Sequence, residues 1–449
     1  MHRVLVLGAG LVSRPIIDYF LDVEDVELTV ATLFVDDARK LIGDTAGATA
    51  VAVDVTDRAQ VDRVVCGSDL VVSLVPFHLH AAVARVAVAH GVHVVTTSYV
   101  SPEMRELDAA ARDAGVLLLN ECGLDPGLDH MSAMRVIDRV HDAGGKVLHF
   151  ESCTGGLPAP EAADNPWCYK FSWSPRGALV ASTQAARYLG DGEIREIPGA
   201  DLFDHAWPYD VHGLGRFEVY PNRDSMPYRE IYGIPEVDAM MRGTIRYPGW
   251  SRAMKAVADL GLLNMDSRRW PEGATYADLT LASINDPLDD ASRGTPRERI
   301  AARLGLAVSD DVMERLDWAG LFDPEPLPEH EAAPLDLVAK HFEQRMRYEP
   351  GERDMVVMQH DFGILTADGC HERQQSQLIV YGDSAGHTAT SRTVSWPAAI
   401  AASLVLEGRF NLRGVQIPSR REFYEPILTA LEPLGIVFNE RLVASDESD

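Results

Sequence analysis

An alternation of short apolar runs with helix-like segments in the first third of the chain constrains the fold most strongly. Segments with helical periodicity separate the runs and include residues 61–65, 79–89 and 104–111. Strand, helix and strand at this spacing imply right-handed crossovers and a buried parallel sheet. We therefore predict an α/β fold with a doubly wound Rossmann sheet. Its six strands are expected at residues 4–7, 26–31, 48–53, 70–74, 92–96 and 116–119.

The first predicted strand runs into a glycine motif at residues 8–13 (GAGLVS), and a helix with Pro15 in its first turn follows. Gly8 would permit the tight turn, and Gly10 would let the backbone approach a pyrophosphate held at the helix start. Ser13 replaces a third glycine where strand and helix pack closely. A glycine motif alone is weak evidence, but its place in this alternation favours dinucleotide binding over a plain turn.

In such folds, the residues at the end of the second strand determine whether NAD or NADP is preferred. An acid there accepts hydrogen bonds from the ribose hydroxyls, whereas an arginine pairs with the 2′-phosphate of NADP. Residues 29–37 read TVATLFVDD, and the nearest arginine is Arg39 on the following helix. Asp36 and Asp37 either contact the ribose or simply begin that helix, and the sequence leaves both interpretations open.

The charge of the chain limits its partners. Its 68 acidic and 41 basic residues give a net charge of −27, which opposes binding to nucleic acid or to an anionic membrane. No apolar run is long enough to span a bilayer and no signal peptide is evident, so we expect a cytoplasmic protein. The cysteines lack a CxxC pair, which favours free thiols over disulfides or a zinc site, and no metal is expected. They are Cys66, Cys122, Cys153, Cys168 and Cys370.

A series of sequence blocks keeps one order from the glycine motif almost to the last hundred residues. The blocks are 8–15 (GAGLVSRP), 54–57 (DVTD), 73–80 (SLVPFHLH), 94–102 (VVTTSYVSP), 123–130 (GLDPGLDH), 155–161 (GGLPAPE), 169–174 (YKFSWS), 220–225 (YPNRDS), 242–247 (RGTIRY) and 352–360 (ERDMVVMQH). Together they resemble the fungal-type saccharopine reductases, the L-glutamate-forming saccharopine dehydrogenases. This resemblance runs along the whole chain and is far more specific than the glycine motif alone.

The resemblance implies three domains, a homodimer and a reaction. The expected domains are a Rossmann domain at 1–124 with 392–449, an α/β substrate domain at 125–250 with 349–391, and a helical domain at 251–348. The implied reaction joins L-glutamate to 2-aminoadipate 6-semialdehyde and reduces the imine with NADPH to saccharopine, or runs in reverse. The expected partners are therefore small amino-acid substrates.

The resemblance also implies the site residues. Asp125 and Tyr99 are expected to be catalytic. Cofactor contacts are expected from Gly8, Gly10, Leu11, Val12, Leu33, Asp54, Val55, Val75, Ser98, Leu124 and Pro126. Substrate contacts are expected from Ser98, Tyr99, Asp125, Thr154, Arg223 and Thr244.

Alternatives remain for several of these residues. Saccharopine carries three carboxylates, so a site in this acidic chain needs clustered arginines, and Arg242 and Arg246 would join Arg223. Arg242 and Arg246, which are four residues apart, could equally cover one surface of the protein without binding substrate. Asp125 could instead be a turn residue before a proline. His80 and Lys170 are further candidates for proton transfer, although His80 could simply line a helix and Lys170 could pair with a nearby acid.

The chain departs from the family pattern at three places. Cys153 and Thr154 stand where the family commonly has Tyr and Cys, and Phe77 and His78 follow Pro76 where the family has Tyr and Thr. Leu33 stands where the family's NADP-binding arginine would be, which favours NADH over the NADPH that the family implies. Two other functions therefore stay open: the same reaction on a polyamine-type or opine-like substrate, and a nucleotide-binding regulator without catalysis.

Overall fold

The computed structural model describes residues 1–286 and 294–443, which form two compact units. The first unit comprises residues 1–147 together with the chain from Ile364 onward, and the second comprises residues 148–363. The division into three domains that the sequence implies stays a prediction.

The first unit contains the predicted doubly wound sheet. Its strands are β1 (His2–Leu7), β2 (Val26–Thr32), β3 (Ala48–Ala52), β4 (Leu70–Ser73), β5 (His93–Thr96), β6 (Leu117–Leu119) and β17 (Gly414–Gln416). They lie in the order β17-β6-β5-β4-β1-β2-β3, and every neighbouring pair is parallel. The six predicted strands are confirmed, and the chain returns near its end to add a seventh.

Helices cover the sheet of the first unit. They are α1 (Arg14–Leu21), α2 (Val35–Ile42), α3 (Arg58–Val65), α4 (His80–His90), α5 (Pro102–Arg105), α6 (Asp108–Asp113), α7 (Leu128–Asp142), α15 (Ala389–Leu406) and α16 (Arg421–Leu431). The predicted helix at 104–111 is two short helices, α5 and α6. Leu5, Leu7, Val71 and Leu118 of the sheet share one buried core with Val83 of α4. Burial on both faces explains why these strands read as continuous apolar runs.

The second unit combines a mixed sheet with a helix-rich segment. Its principal strands are β7 (Lys146–Pro158), β8 (Ala186–Gly190), β9 (Glu193–Ile197), β10 (Trp207–Val211), β11 (Gly215–Pro221), β12 (Ala239–Arg246) and β15 (Asp354–Leu365). Five of them follow the order β10-β11-β12-β7-β15, and β8 joins β12 to β9. The β7–β12 pair is parallel, whereas β11 runs antiparallel to β12. The predicted mixed α/β architecture is confirmed.

The remaining elements complete the two units. The helices of the second unit are α8 (Pro175–Ala181), α9 (Pro227–Ile231), α10 (Trp250–Asp259), α11 (Tyr276–Ser283), α12 (Pro296–Leu304), α13 (Asp311–Trp318) and α14 (Pro334–Arg345). Two short strands, β13 (Arg268–Arg269) and β14 (Glu331–Ala332), pair with each other. In the first unit, β16 (His371–Tyr381) runs antiparallel to β18 (Asn439–Val443). Within the described ranges, no helix has the length and hydropathy required to cross a bilayer.

Candidate functional site

The predicted cofactor residues all follow the carboxyl ends of strands in the parallel sheet. Gly8, Gly10, Leu11 and Val12 follow β1, Leu33 follows β2, Asp54 and Val55 follow β3, Val75 follows β4, Ser98 follows β5, and Leu124 and Pro126 follow β6. The chain reverses its direction of travel across the sheet between β1 and β4. Ligands of open α/β sheets bind beside such a switch point. The sheet therefore collects these residues along one edge.

The glycine motif has the geometry of a phosphate-binding turn. Gly8 has a φ of +113°, and a Cβ there would lie 2.8 Å from the carbonyl oxygen of Leu74, so a larger residue would not fit. A Cβ at Gly10 would meet no atom within 4 Å. The Ser13 hydroxyl donates a 2.7 Å hydrogen bond to the Gly10 carbonyl and fixes the turn into α1. The open space at Gly10 lets a phosphate approach the backbone at the start of that helix.

The end of β2 presents apolar and paired side chains. Leu33 is 58% exposed and Phe34 is 69% exposed. Asp36 and Asp37 lie in the first turn of α2, where negative charge suits the helix dipole. Asp36 accepts a 2.8 Å hydrogen bond from the guanidinium of Arg39. The interpretation that both acids begin a helix is confirmed, and a contact from either acid to a ribose stays a prediction.

The block at residues 54–57 is a tight turn. The Asp54 carboxylate accepts hydrogen bonds from the hydroxyl and the amide of Thr56, at 2.7 and 2.9 Å, and these bonds lower the pKa of Asp54. Asp57 caps α3 by accepting from the amides of Ala59 and Gln60. The turn places Asp54 and Val55 just beyond β3.

Tyr99 and Asp125, the two residues predicted to be catalytic, are in direct contact. The Tyr99 hydroxyl donates a 2.8 Å hydrogen bond to Oδ1 of Asp125. Tyr99 follows β5, and Asp125 lies in the loop between β6 and α7, before a cis bond to Pro126. Because β5 and β6 are parallel neighbours, their following loops meet at the same edge of the sheet.

His80 lies behind Ser98. Nε2 of His80 is 2.8 Å from the Ser98 hydroxyl, and Nδ1 is 2.8 Å from the Ser73 hydroxyl. Burial, with a smaller contribution from the nearby His78, lowers the pKa of His80 to about 4. The ring is therefore neutral at neutral pH. A neutral, doubly hydrogen-bonded ring orients Ser98 and is poorly suited to accept a proton near pH 7.

In the second unit, Thr154, Thr244 and Tyr220 form a row across the mixed sheet. Thr244 of β12 lies opposite Thr154 of β7 on one side and opposite Tyr220 of β11 on the other. Residues opposite each other in neighbouring strands project from the same face. Two predicted substrate contacts, Thr154 and Thr244, are therefore adjacent.

Arg223 lies in the loop that follows β11. Its φ is +58°, a left-handed conformation that costs free energy in a residue other than glycine. The loop is fixed to β8, because the amide of Arg187 donates to the Arg223 carbonyl at 2.9 Å and the Ser225 amide donates to the Arg187 carbonyl at 2.7 Å. The side chain of Arg223 is exposed. The backbone of an exposed arginine is thus held in a defined, strained position.

Arg242 and Arg246 do not form a plain surface, because both are buried, with exposed fractions of 1% and 7%. The guanidinium of Arg246 lies 5.1 Å from the ring centre of Tyr169. In the described part of the chain, the buried polar atoms near these strands that have no hydrogen-bond partner include Nε of Arg246, the Tyr169 hydroxyl and Oγ1 of Thr154. Buried polar groups normally have partners, so this set is suited to receive the polar groups of a ligand.

Lys170 is held in ion pairs. Its ammonium lies 2.5 Å from Glu352 and 2.9 Å from Asp164. Burial lowers its pKa, but the hydrogen bonds to Glu352 and Asp164 outweigh burial and raise the pKa overall. Lys170 therefore remains a paired cation. This agrees with the alternative that Lys170 pairs with a nearby acid.

The second unit also contains a compact group of side chains of metal-ligating types. Ligand atoms of Asp323, Glu325 and His341 all lie within 4.8 Å of one another. The carboxylate of Asp323 already pairs with the guanidinium of Arg345. Because a cation occupies this carboxylate, we assign no metal to the group.

Comparison with protein families decides the classification. Residues 4–119 match the Saccharopine dehydrogenase NADP binding domain, and residues 123–436 match the Saccharopine dehydrogenase C-terminal domain. The chain belongs to the saccharopine dehydrogenase family. The family resemblance of the sequence blocks is thus confirmed, as is NAD(P) as the class of cofactor.

Relatives of this family match the chain over nearly its whole length. Saccharopine dehydrogenase [NADP(+), L-glutamate-forming] of Pyricularia oryzae is 40% identical over 98% of this chain and 99% of its own. The mitochondrial alpha-aminoadipic semialdehyde synthase of Bos taurus is 37% identical over 97% of this chain, which spans 47% of that longer protein. The apo structure of L-Glu-forming saccharopine dehydrogenase from Saccharomyces cerevisiae has a TM-score of 0.88 and 37% identity, covering 99% of this chain and 100% of that one.

Three buried ionisable residues near the Asp125 loop are not among the predicted site residues. Glu121, Asp129 and His130 have exposed fractions of 5%, 1% and 0%. Asp129 and His130 close the block at residues 123–130, and charged residues in such an apolar setting are rarely buried without a partner. That setting is the signal that could have identified them.

Proposed function

We propose that this protein is an L-glutamate-forming saccharopine dehydrogenase, an NAD(P)-dependent oxidoreductase. It joins L-glutamate to 2-aminoadipate 6-semialdehyde and reduces the imine to saccharopine, or oxidises saccharopine in reverse. The observation that carries this proposal is the 40% identity, over 98% of this chain, to a relative with that name. The residues at the carboxyl edge of the Rossmann sheet support the proposal independently.

Proton transfer is assigned to Asp125 and Tyr99. Formation of the protonated imine makes a carbon–nitrogen bond, transfers two protons from the ammonium group of glutamate to the aldehyde oxygen and expels that oxygen as water. A carboxylate and a hydroxyl joined by a 2.8 Å hydrogen bond can pass a proton between them. Asp125 would accept the two amine protons in turn, and Tyr99 would pass each to the oxygen, the first forming the carbinolamine hydroxyl and the second releasing water. The nicotinamide cofactor supplies the hydride that reduces the imine carbon.

Substrate carboxylates are assigned to the second unit. Arg223 presents an exposed guanidinium from a fixed loop, and guanidinium groups bind carboxylates in bidentate geometry. Thr154 and Thr244 lie next to each other on β7 and β12 and can donate hydroxyl hydrogen bonds. The unpartnered Nε of Arg246 and hydroxyl of Tyr169 support an anionic ligand at this sheet.

The cofactor is inferred to be NAD(H) in preference to NADP(H). The names of the relatives specify NADP(+), yet Leu33 offers no charge to a 2′-phosphate. Arg39 is engaged by Asp36, and Asp37 adds a second carboxylate close by. A phosphate near carboxylates and without its own arginine is penalised by repulsion and by lost hydration. The hydroxyls of NAD(H) avoid both penalties.

The departure at Thr154 favours one alternative substrate class. The same reaction could join a different amine, polyamine-type or opine-like, to a carbonyl compound. Arg223 and Thr244 argue for an amine that carries a carboxylate. A homodimer and a cytoplasmic location remain predictions, and light scattering on the purified protein tests the first.

Initial rates of NADH and NADPH oxidation decide between these substrates. The semialdehyde is supplied with L-glutamate, with L-aspartate or with a polyamine such as spermidine at equal concentration. We expect glutamate to give a kcat/KM at least about tenfold above the others, a difference of about 1.4 kcal/mol. Faster turnover with another amine would support the alternative substrate, and cofactor binding without turnover of any amine would support a regulator.

A further inference from the structure

Glu121, Asp129 and His130, here named the His130 triad, form a buried charged group in the first unit. Glu121 follows β6, and the other two residues lie in the first turn of α7. All three are at most 5% exposed. Taking three ionisable side chains out of water is costly, and a buried charged group of this kind is weak evidence for a stabilising role. The triad therefore requires another explanation.

His130 connects the two carboxylates of the triad. Its Nε2 lies 2.7 Å from Oε2 of Glu121, and its Nδ1 lies 3.4 Å from Oδ2 of Asp129. Both ring nitrogens thus face carboxylate oxygens. The protonated imidazole, which carries N–H on both nitrogens, is the form that donates to both.

The other oxygen of each carboxylate holds a loop of the candidate site. Oε1 of Glu121 accepts a 3.0 Å hydrogen bond from the amide of Val100, the residue after Tyr99. Oδ1 of Asp129 accepts a 2.5 Å hydrogen bond from the amide of Gly127, two residues after Asp125. One imidazole therefore links the loop that carries Tyr99 to the loop that carries Asp125.

We propose that His130 is a positioning residue that holds Tyr99 against Asp125. The proposal rests on the proton-transfer roles proposed above for these two residues. The 2.8 Å hydrogen bond between them depends on the relative position of two loops that follow different strands. A misplacement of about 1 Å in a reacting group can cost about 100-fold in rate, so a link between the loops has kinetic value.

The test replaces His130 by Gln and, separately, Glu121 by Gln. Gln at position 121 keeps an acceptor for the Val100 amide but lacks the charge that His130 contacts. We expect kcat to fall by about 100-fold in either variant. The dissociation constant of the cofactor, measured by fluorescence titration, should rise by less than about tenfold, because the glycine motif predicted to hold the pyrophosphate is not displaced.

His93→Gln is the matched control. Its Nδ1 accepts a 3.0 Å hydrogen bond from the Leu117 amide at the opposite ends of the same strands. The substitution thus removes a hydrogen bond between a histidine and the backbone of the same sheet, and it changes neither loop. We expect kcat of this variant to remain within about twofold of the wild type. A fall as large as that of His130→Gln would mean a general loss of packing and would overturn the proposal.

A double-mutant cycle with Tyr99→Phe separates positioning from structure. If His130 acts through Tyr99 and Asp125, its replacement should cost far less in the Tyr99→Phe background than in the wild type. Equal fold-losses in both backgrounds would overturn the proposal. If His130→Gln fails to fold, the same double-mutant cycle with Glu121→Gln in its place tests the proposal.

The single variants keep this proposal distinct from the proposed function. If Tyr99→Phe and Asp125→Asn both retain wild-type kcat, the proton-transfer assignment is wrong and the positioning role falls with it. If both lose activity while His130→Gln and Glu121→Gln retain it, the assignment stands and the positioning role alone is overturned.

Discussion

At the residue scale, a substitution at Gly10 should affect ligand binding without affecting folding. A Cβ at this position would meet no protein atom within 4 Å, so Gly10→Val is expected to fold normally. The branched side chain would instead occupy the space through which a pyrophosphate approaches the backbone. We expect calorimetry to detect no dinucleotide binding by Gly10→Val. Gly10→Ala, with a smaller side chain, should give an intermediate affinity, and an unchanged affinity in Gly10→Val would refute the site.

Arg223 gives the second prediction at this scale. Bound substrate would cover the exposed guanidinium of Arg223, and truncating one partner of a charge pair that is desolvated in this way costs about 2–5 kcal/mol, because the other charge is left unpaired. Arg223→Ala should therefore lower kcat/KM by roughly 30-fold or more, at about 1.4 kcal/mol per tenfold. Cofactor affinity should barely change. Arg216→Ala is the control: Arg216 is an exposed arginine in strand β11, and its replacement should leave kcat/KM near the wild-type value. Normal kinetics in Arg223→Ala would remove this residue from the site.

At the element scale, the junction of β2 and α2 sets the cofactor preference. Leu33 is exposed at the end of β2, and Arg39 on α2 pairs with Asp36. We expect kcat/KM with NADH to exceed that with NADPH by about tenfold, or about 1.4 kcal/mol. Leu33→Arg should reverse the preference by supplying a charge to the 2′-phosphate, whereas Leu33→Met should not. A clear NADPH preference in the wild type would show that Arg39 or another group supplies that charge.

The junction of β4 and α4 gives a pH prediction. Burial lowers the pKa of His80 from 6.5 to about 4, so the folded protein keeps a neutral ring that the unfolded chain protonates below pH 6.5. Stability that depends on His80 is therefore lost as the pH falls from about 6.5 towards about 4. Between pH 7 and pH 5 the loss should be about 2 kcal/mol. Urea unfolding of His80→Gln should lack this loss, and the exposed control His371→Gln should retain it. Equal losses in the wild type and His80→Gln would contradict the assignment.

Sequence alone predicts some elements well and others poorly. The six strands of the parallel sheet are predictable because helices cover both faces and leave continuous apolar runs. Strand β17 has only three residues, Gly414–Gln416, and gives no periodic signal. The residues at the strand ends follow from the sheet, because parallel strands carry their loops to one edge. The burial of Arg242 and Arg246 does not follow, since their spacing of four fits an exposed or a buried face.

At the scale of the whole molecule, contacts between distant residues limit prediction from sequence. The bond between Tyr99 and Asp125 joins residues 26 positions apart and depends on the pairing of β5 with β6. The link from His130 to Glu121 spans 9 positions and depends on how α7 begins. Neither contact has a periodic pattern in the sequence. The family resemblance supplied the first pair, and the structure was needed for the second.

The oxidation of saccharopine by the purified wild-type protein tests the central claim most directly. Saccharopine is incubated with NAD⁺ or NADP⁺, the reduced cofactor is followed by absorbance, and the products are quantified by mass spectrometry. We expect one L-glutamate and one 2-aminoadipate 6-semialdehyde for each cofactor reduced, with Gly10→Val inactive. Cofactor binding by a correctly folded wild type, with no glutamate released from saccharopine, would contradict the proposed function.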